Sequence, residues 1–134
     1  MTTPTRIQRR REAGWRAPLD AQGRRPVYVG RPTRWGNPWA VTETSTGWAI
    51  TRDWRGGWDV GLIETVTREA AHQVAVGLYR EWVEANADLA RLAREGLAGR
   101  ALMCWCAPEF ACHVDHLLTV ANPLPAAVRA GGDA

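Results

Sequence analysis

The residues best suited to chemistry cluster near the C-terminal end of the chain: Cys104, Cys106, Cys112, His113, Asp115 and His116, with all three cysteines of the protein among them. A thiol acts as nucleophile or metal ligand only as the thiolate. Three kinds of chemistry are open to this set. Cys106 or Cys112 could be a nucleophile, with His113 as acid or base held by Asp115. Cys104, Cys106 and Cys112 with either His113 or His116 also make up a Cys₃His metal set, although Cys-x-Cys lacks the turn of a Cys-x-x-Cys zinc knuckle. Or the cysteines are small buried hydrophobes and His113 a capping or hydrogen-bonding group. An odd, tight cluster argues against a disulfide framework.

A strand and a helix are needed to hold these side chains. The apolar run Arg100–Cys106 predicts a strand buried on both faces, as in a parallel sheet. Alternation along it puts Cys104 and Cys106 on one face and Trp105 on the other. Ala111–Ala121 reads as a helix with Val114, Leu117, Leu118 and Ala121 inward. Cys112, His113 and Asp115 then stand at its first turn, where free N–H groups and a partial positive charge favour anions and lower a thiol pKa.

Upstream, Val27–Val29 is a short β-prone run ending at Gly30, and the prolines of Arg31–Pro38 force a loop. Trp39–Thr42 and Trp48–Thr51 predict a β-hairpin linked by Glu43–Gly47. Arg52–Gly61, rich in Gly and Trp, reads as a loop. Val66, Ala70, Val74, Leu78 and Trp82 predict a helix over Glu64–Asn86, with Thr65 near its start. Leu89, Leu92, Ala93 and Leu97 predict another over Ala87–Leu97, closed by Gly99. His72, alone on the long helix, reads as a surface or boundary residue. The fold class is α/β: a small Rossmann-like sheet packed by about three helices, with a short β-hairpin. Residues 1–25 read as a flexible basic arm, 26–122 as one domain and 123–134 as a flexible tail. Ligands of open parallel sheets bind beyond the carboxyl ends of the strands, where residues 30–38 and 106–112 both fall.

Composition sets further bounds. The 134 residues fit one domain, and 46% hydrophobic content is enough for a core. No apolar run approaches the roughly 18 residues that cross a bilayer. Met1–Arg11 is polar and basic without an apolar segment behind it, so a cytoplasmic location without membrane contact is expected. All 17 basic residues are Arg, and Arg6, Arg9, Arg10, Arg11, Arg16, Arg24 and Arg25 crowd the first segment. An arm of this kind is more often a solvated tail, but it can also make weak contact with nucleic acid or acidic partners. There is neither a phosphate-binding P-loop nor a GxGxxG motif, so no organic cofactor is expected.

An ordered set of residues carries a resemblance. It comprises Val27-Tyr-Val-Gly-Arg31, Trp35-Gly-Asn-Pro38, Thr67-Arg-Glu69, Tyr79-Arg-Glu-Trp82, Leu97 to Gly99, Cys104-Trp-Cys106 with Pro108, and Cys112-His113 with Asp115 and Leu117. The set resembles the domain of unknown function 4326 family, small proteins of bacteriophage and bacterial genomes, over about residues 27–121. The resemblance implies a compact α/β domain with characteristic polar residues at Arg31, Asn37, Arg68, Cys104, Cys106, Cys112, His113 and Asp115. Two Arg, an amide and a helix N-terminus suit an anionic, nucleotide-like ligand, with Trp35 as a stacking face. The same Trp35–Pro38 run also reads as a rigid turn: Gly36 for unusual backbone angles, Asn37 for a local hydrogen bond, Pro38 to fix φ. This chain departs from the family pattern in a longer spacer before Cys112, an enlarged Trp-rich segment over 42–61 and the basic arm.

The leading expectation is a nucleotide- or nucleoside-related ligand held by Arg31, Trp35, Asn37 and Arg68, with any chemistry falling to Cys106, Cys112, His113 and Asp115. The alternative is a small zinc-stabilised protein that contacts nucleic acid or a host protein.

Overall fold

The computed structural model describes residues 4–52 and 57–123. Trp54 and the tail beyond Pro123 lie outside them. The elements in order are β1 (Arg6–Gln8), β2 (Val27–Tyr28), β3 (Trp39–Thr44), β4 (Gly47–Arg52), β5 (Ile63–Thr65), α1 (Arg68–Glu84), α2 (Ala87–Gly96), β6 (Leu102–Cys104) and α3 (His113–Ala121). This is the expected α/β class, with its strands divided between two sheets.

The first sheet is parallel, with β6 between β1 and β2. Leu102 pairs with both Arg6 and Val27, and Met103 with both Ile7 and Tyr28. β6 can be central because Leu102 and Cys104 offer apolar side chains to the helices while the backbone bonds on both edges. Its inner face packs with Val29, Leu97, Val114 and Leu117 into one core. The second sheet is antiparallel, β3-β4-β5. The hairpin is longer than expected, since Glu43 and Gly47 are themselves in strands and only Ser45 and Thr46 turn. β5 adds a third strand that was not foreseen. Trp39 and Ile50 pack with Ala71, Tyr79, Trp82 and Val83 of α1 into a second core.

α1 begins later than Glu64. Thr67 is its N-cap, accepting a hydrogen bond from the Ala70 N–H at 3.1 Å, as a β-region Thr does before a helix. Val66 therefore precedes the helix and stays exposed. The buried face runs Ala71, Ala75, Tyr79, Trp82 and Val83, rotated from the Val66–Ala70–Val74 stripe toward its flank. No helix among the described residues is long and apolar enough to cross a membrane.

The expectation that residues 1–25 lie outside the fold does not hold at their start. β1 pairs with β6, the Leu102 N–H donates to the Thr5 carbonyl and the Arg9 N–H to the Cys104 carbonyl. The Arg6 side chain, 13% exposed, reaches Asp115 at 2.8 Å and donates to the carbonyls of Ala107 and Phe110. Two loop carbonyls and a carboxylate in the first turn of α3 converge on one point, which suits a guanidinium there. Arg6→Ala is predicted to destabilise the protein by about 1.5–3 kcal/mol, the range for hydrogen bonds to charged groups. Arg10→Ala, on the exposed surface, should stay within about 0.5 kcal/mol. Urea unfolding of both variants checks this; equal midpoints would mean that the first strand is not tied down.

Candidate functional site

A cavity of about 300 Å³ opens where the two sheets and α1 meet. Tyr28, Gly30 and Arg31 follow β2 into it, and Cys104, Trp105 and Cys106 follow β6. Because those strands are parallel, both ends reach the same edge, the usual place for a ligand in such a sheet. α1 supplies Arg68, His72 and Ala75, and the hairpin supplies Trp39 and Trp48.

The floor is sulfur. The Sγ atoms of Cys104, Cys106 and Cys112 lie within 4.8 Å of one another, and those of Cys104 and Cys112 are 3.0 Å apart. β6 ends at Cys104 and the chain bends at Trp105, so Cys106 is freed from strand alternation and turns back toward its neighbours. Cys112 arrives from the opposite side as the N-cap of α3. Thiols this close titrate as a unit. The neighbouring Cys104 thiol, and after it that of Cys112, hold the Cys106 pKa well below the ordinary thiol value against the opposing effect of burial. The other two thiols hold their protons more tightly: interaction with Cys106 pushes Cys104 up to about 12, and Cys112 is raised as well, first by its bond to Cys104.

His113 is buried beside this cluster. Its Nε2 lies 2.9 Å from the Val29 carbonyl, which can only accept, so the proton sits on Nε2 and the Nδ1 lone pair faces the cysteines. Nδ1 is 3.6 Å from the Cys112 sulfur. Burial lowers the His113 pKa, with partial opposition from the Val29 carbonyl, so the ring is neutral at pH 7. Tyr79 braces it edge-on at 5.1 Å between ring centres.

Several expected roles need correction. Asp115 does not hold His113. Its carboxylate takes Arg6 at 2.8 Å and the Cys112 N–H at 3.3 Å, because residues two apart on a helix point to different sides. Trp35 is not among the residues lining the cavity; its ring packs against the first core, and its carbonyl accepts from the Tyr79 hydroxyl at 2.8 Å. Asn37 lines the cavity, but its amide is engaged in structure, donating to the Ala75 carbonyl at 3.1 Å and accepting from the Trp39 N–H at 2.9 Å. Asn37 thus fastens the loop to α1. Gly36 has no positive φ; a Cβ there would meet the Arg31 backbone at 3.0 Å, so glycine is needed for close approach. Arg31, Arg68, Cys104, Cys106, Cys112 and His113 do share the one cavity.

Sequence reasoning missed other residues at the site. His72 lines the cavity and stacks on Phe110 at 4.8 Å, and its Nε2 is buried without a hydrogen-bond partner among the described residues. Arg9 lies over Tyr28 and Trp105 at 5.1 and 4.9 Å, and Arg11 over Trp105 at 4.7 Å. The excess of basic residues before Val27 was the signal for these contacts; nothing in the sequence pointed to His72.

Fold and site together define a small α/β domain with a thiol-floored cavity at the carboxyl edge of a parallel sheet. The chain belongs to the family described as Domain of unknown function (DUF4326), whose model matches residues 7–123. That span begins inside β1, which places the docked strand within the family domain. No curated protein and no solved structure gives a match.

Two outcomes follow from the titrating groups. His72, His113 and His116 all have pKa values lowered chiefly by burial. Below about 6.5 the unfolded chain therefore binds more protons than the folded one, and stability falls with pH. The melting temperature should drop steadily between about pH 6.5 and 5, before most carboxylates titrate; a flat profile there would contradict the burial of these rings. With chelator present, iodoacetamide should modify Cys106 well below the usual thiol value of about 8.5 while Cys104 and Cys112 stay protected until unfolding. Peptide mapping after alkylation across a pH series reads this directly, and equal labelling of all three would contradict it.

Proposed function

We propose that the cavity binds a small anionic ligand of the nucleotide or nucleoside-phosphate class, with Arg31 and Arg68 on the anion. The observation that carries this reading is that two guanidinium groups from separate elements, the loop after β2 and the first turn of α1, line one cavity with aromatic rings. Arg68 lies over Trp48 and Phe110 at 5.3 and 4.6 Å, a stacking that fixes its plane and leaves the edge donors for a phosphate or carboxylate. Among the described residues no carboxylate pairs with Arg68. The unpartnered Nε2 of His72 in the same wall is a further polar group that a ligand atom would satisfy. Trp48 and Trp105 replace Trp35 as the stacking faces. Of the residues expected to do chemistry, Cys106 has the role open to it, since it lines the cavity and is only half-buried.

The docked start of the chain extends this surface. Arg9 and Arg11 flank the exposed Trp105, an Arg–Trp arrangement suited to the end of a single strand. This arrangement supports the weak nucleic-acid contact expected of the arm.

A thermal-shift screen against nucleotides, nucleosides and nucleotide sugars tests the reading. A ligand at about a hundredfold its Kd adds roughly 2.7 kcal/mol, a shift of several degrees in a domain of this size. Arg31→Gln and Arg68→Gln should each weaken the hit about tenfold or more. No shift with any phosphate-bearing compound at millimolar concentration would refute the proposal.

A further inference from the structure

The geometry points to a single metal site of the zinc class at the floor of the cavity, held by Cys104, Cys106 and Cys112, with its fourth coordination position open to the cavity. Three Sγ atoms contributed by two elements lie within 4.8 Å of one another. Thiolates around one tetrahedral ion, each about 2.3 Å from it, stand about 3.8 Å apart. Cys104 and Cys112, at 3.0 Å, need to part by only about 0.8 Å to reach that spacing. An all-sulfur donor set selects a soft or borderline ion over magnesium or calcium. The objection from sequence, that Cys-x-Cys lacks a knuckle turn, is met by the end of β6 at Cys104 and the bend at Trp105.

The surroundings fit the same conclusion. A purely structural cluster would gain little from three sulfurs in mutual contact where Val or Ala would pack. The loop that separates Cys106 from Cys112 is pinned by Arg6 through the carbonyls of Ala107 and Phe110, and Asp115 accepts from the Cys112 N–H. The donor set is thus held from outside before any ion arrives, as supporting shells of metal sites are. His113 stands 3.6 Å from the Cys112 sulfur with its other nitrogen on the Val29 carbonyl. All three cysteines line the cavity. Three protein ligands with one position facing a ligand space is the pattern of a reactive zinc site, whereas closed structural sites use four. On binding, the ion takes three thiolates and the thiol protons pass to solvent.

This inference stands apart from the nucleotide reading, because metal content and spectrum are read without nucleotide and nucleotide binding can be assayed with chelator present. The test uses full-length protein purified without a metal-binding tag or chelator. Elemental analysis should give about one zinc per chain. Protein stripped and reloaded with Co²⁺ should show intense tetrahedral d–d bands with thiolate-to-cobalt charge transfer. Adding a small thiol such as 2-mercaptoethanol should shift those bands by filling the fourth position. Cys106→Ser, at a half-buried site, should lower metal affinity at least about tenfold; if it does not fold, the wild-type cobalt spectrum decides alone. Protein that retains no zinc and develops no cobalt bands overturns the site. Bands that do not respond to thiol overturn the open position. Recovery of a Cys104–Cys112 disulfide with chelator making no difference to thiol counts overturns the proposal as well.

Discussion

The site depends on one constraint: β6 is hydrogen-bonded on both edges, in parallel, by strands from distant parts of the chain. A central strand of three residues has few backbone bonds of its own, so its position is fixed by its partners. β1 supplies one edge and β2 the other. Parallel pairing sends the carboxyl ends of β2 and β6 to the same rim, so that Arg31, Cys104 and Cys106 line one cavity. Arg6 then reaches past the end of its own strand to the loop before α3. In doing so it sets where Cys112 enters. Without the first strand, the loop carrying the third sulfur loses the donor to its Ala107 and Phe110 carbonyls.

The two cores divide the work between them. One packs Leu102, Cys104, Val114 and Leu117 beneath the parallel sheet, and the other packs Trp39, Ile50, Tyr79 and Trp82 between α1 and the hairpin. The cavity is their junction, and polar groups collect there because neither core can close over it. Tyr79 bridges the halves, with its ring in the second core against His113 of α3 and its hydroxyl on the Trp35 carbonyl. Asn37 does the same from the loop side. These two residues explain why Trp35–Pro38 and Tyr79–Trp82 occur together: one motif supplies the turn and the other the clamp.

The sequence made the helices, the hairpin and β6 legible, since each is long or periodic enough for burial to leave a pattern. The strand expected over Arg100–Cys106 is shorter, Leu102–Cys104, and ends at the Trp105 bend well before Pro108. β1 was not legible. Arg6-Ile7-Gln8 has one apolar residue and no period, and its strand conformation is imposed by a partner almost at the other end of the chain. β5 was missed for the same reason of length. At the site, residue type was informative and role was not. Cysteines and Arg drew attention to the correct loops, but the closeness of His113 and Asp115 in sequence suggested a pair that helix geometry forbids. A polar side chain such as Asn37 reads alike whether it faces a ligand or the backbone. His72 was hidden because a lone His on an amphipathic helix has no distinguishing neighbours.

The central claim is that three sulfurs converge at one point of a cavity wall. Arsenite tests it without reference to any natural ligand, because arsenic(III) exchanges its three hydroxyls for three thiolates only when all three reach it together, releasing three waters. Intact mass spectrometry of the native protein should show one arsenic bound in place of three thiol hydrogens, and Cys104→Ala, which truncates the triad within the core, should abolish that species. A native chain that takes up no arsenic, or that binds it equally well without Cys104, would contradict the account.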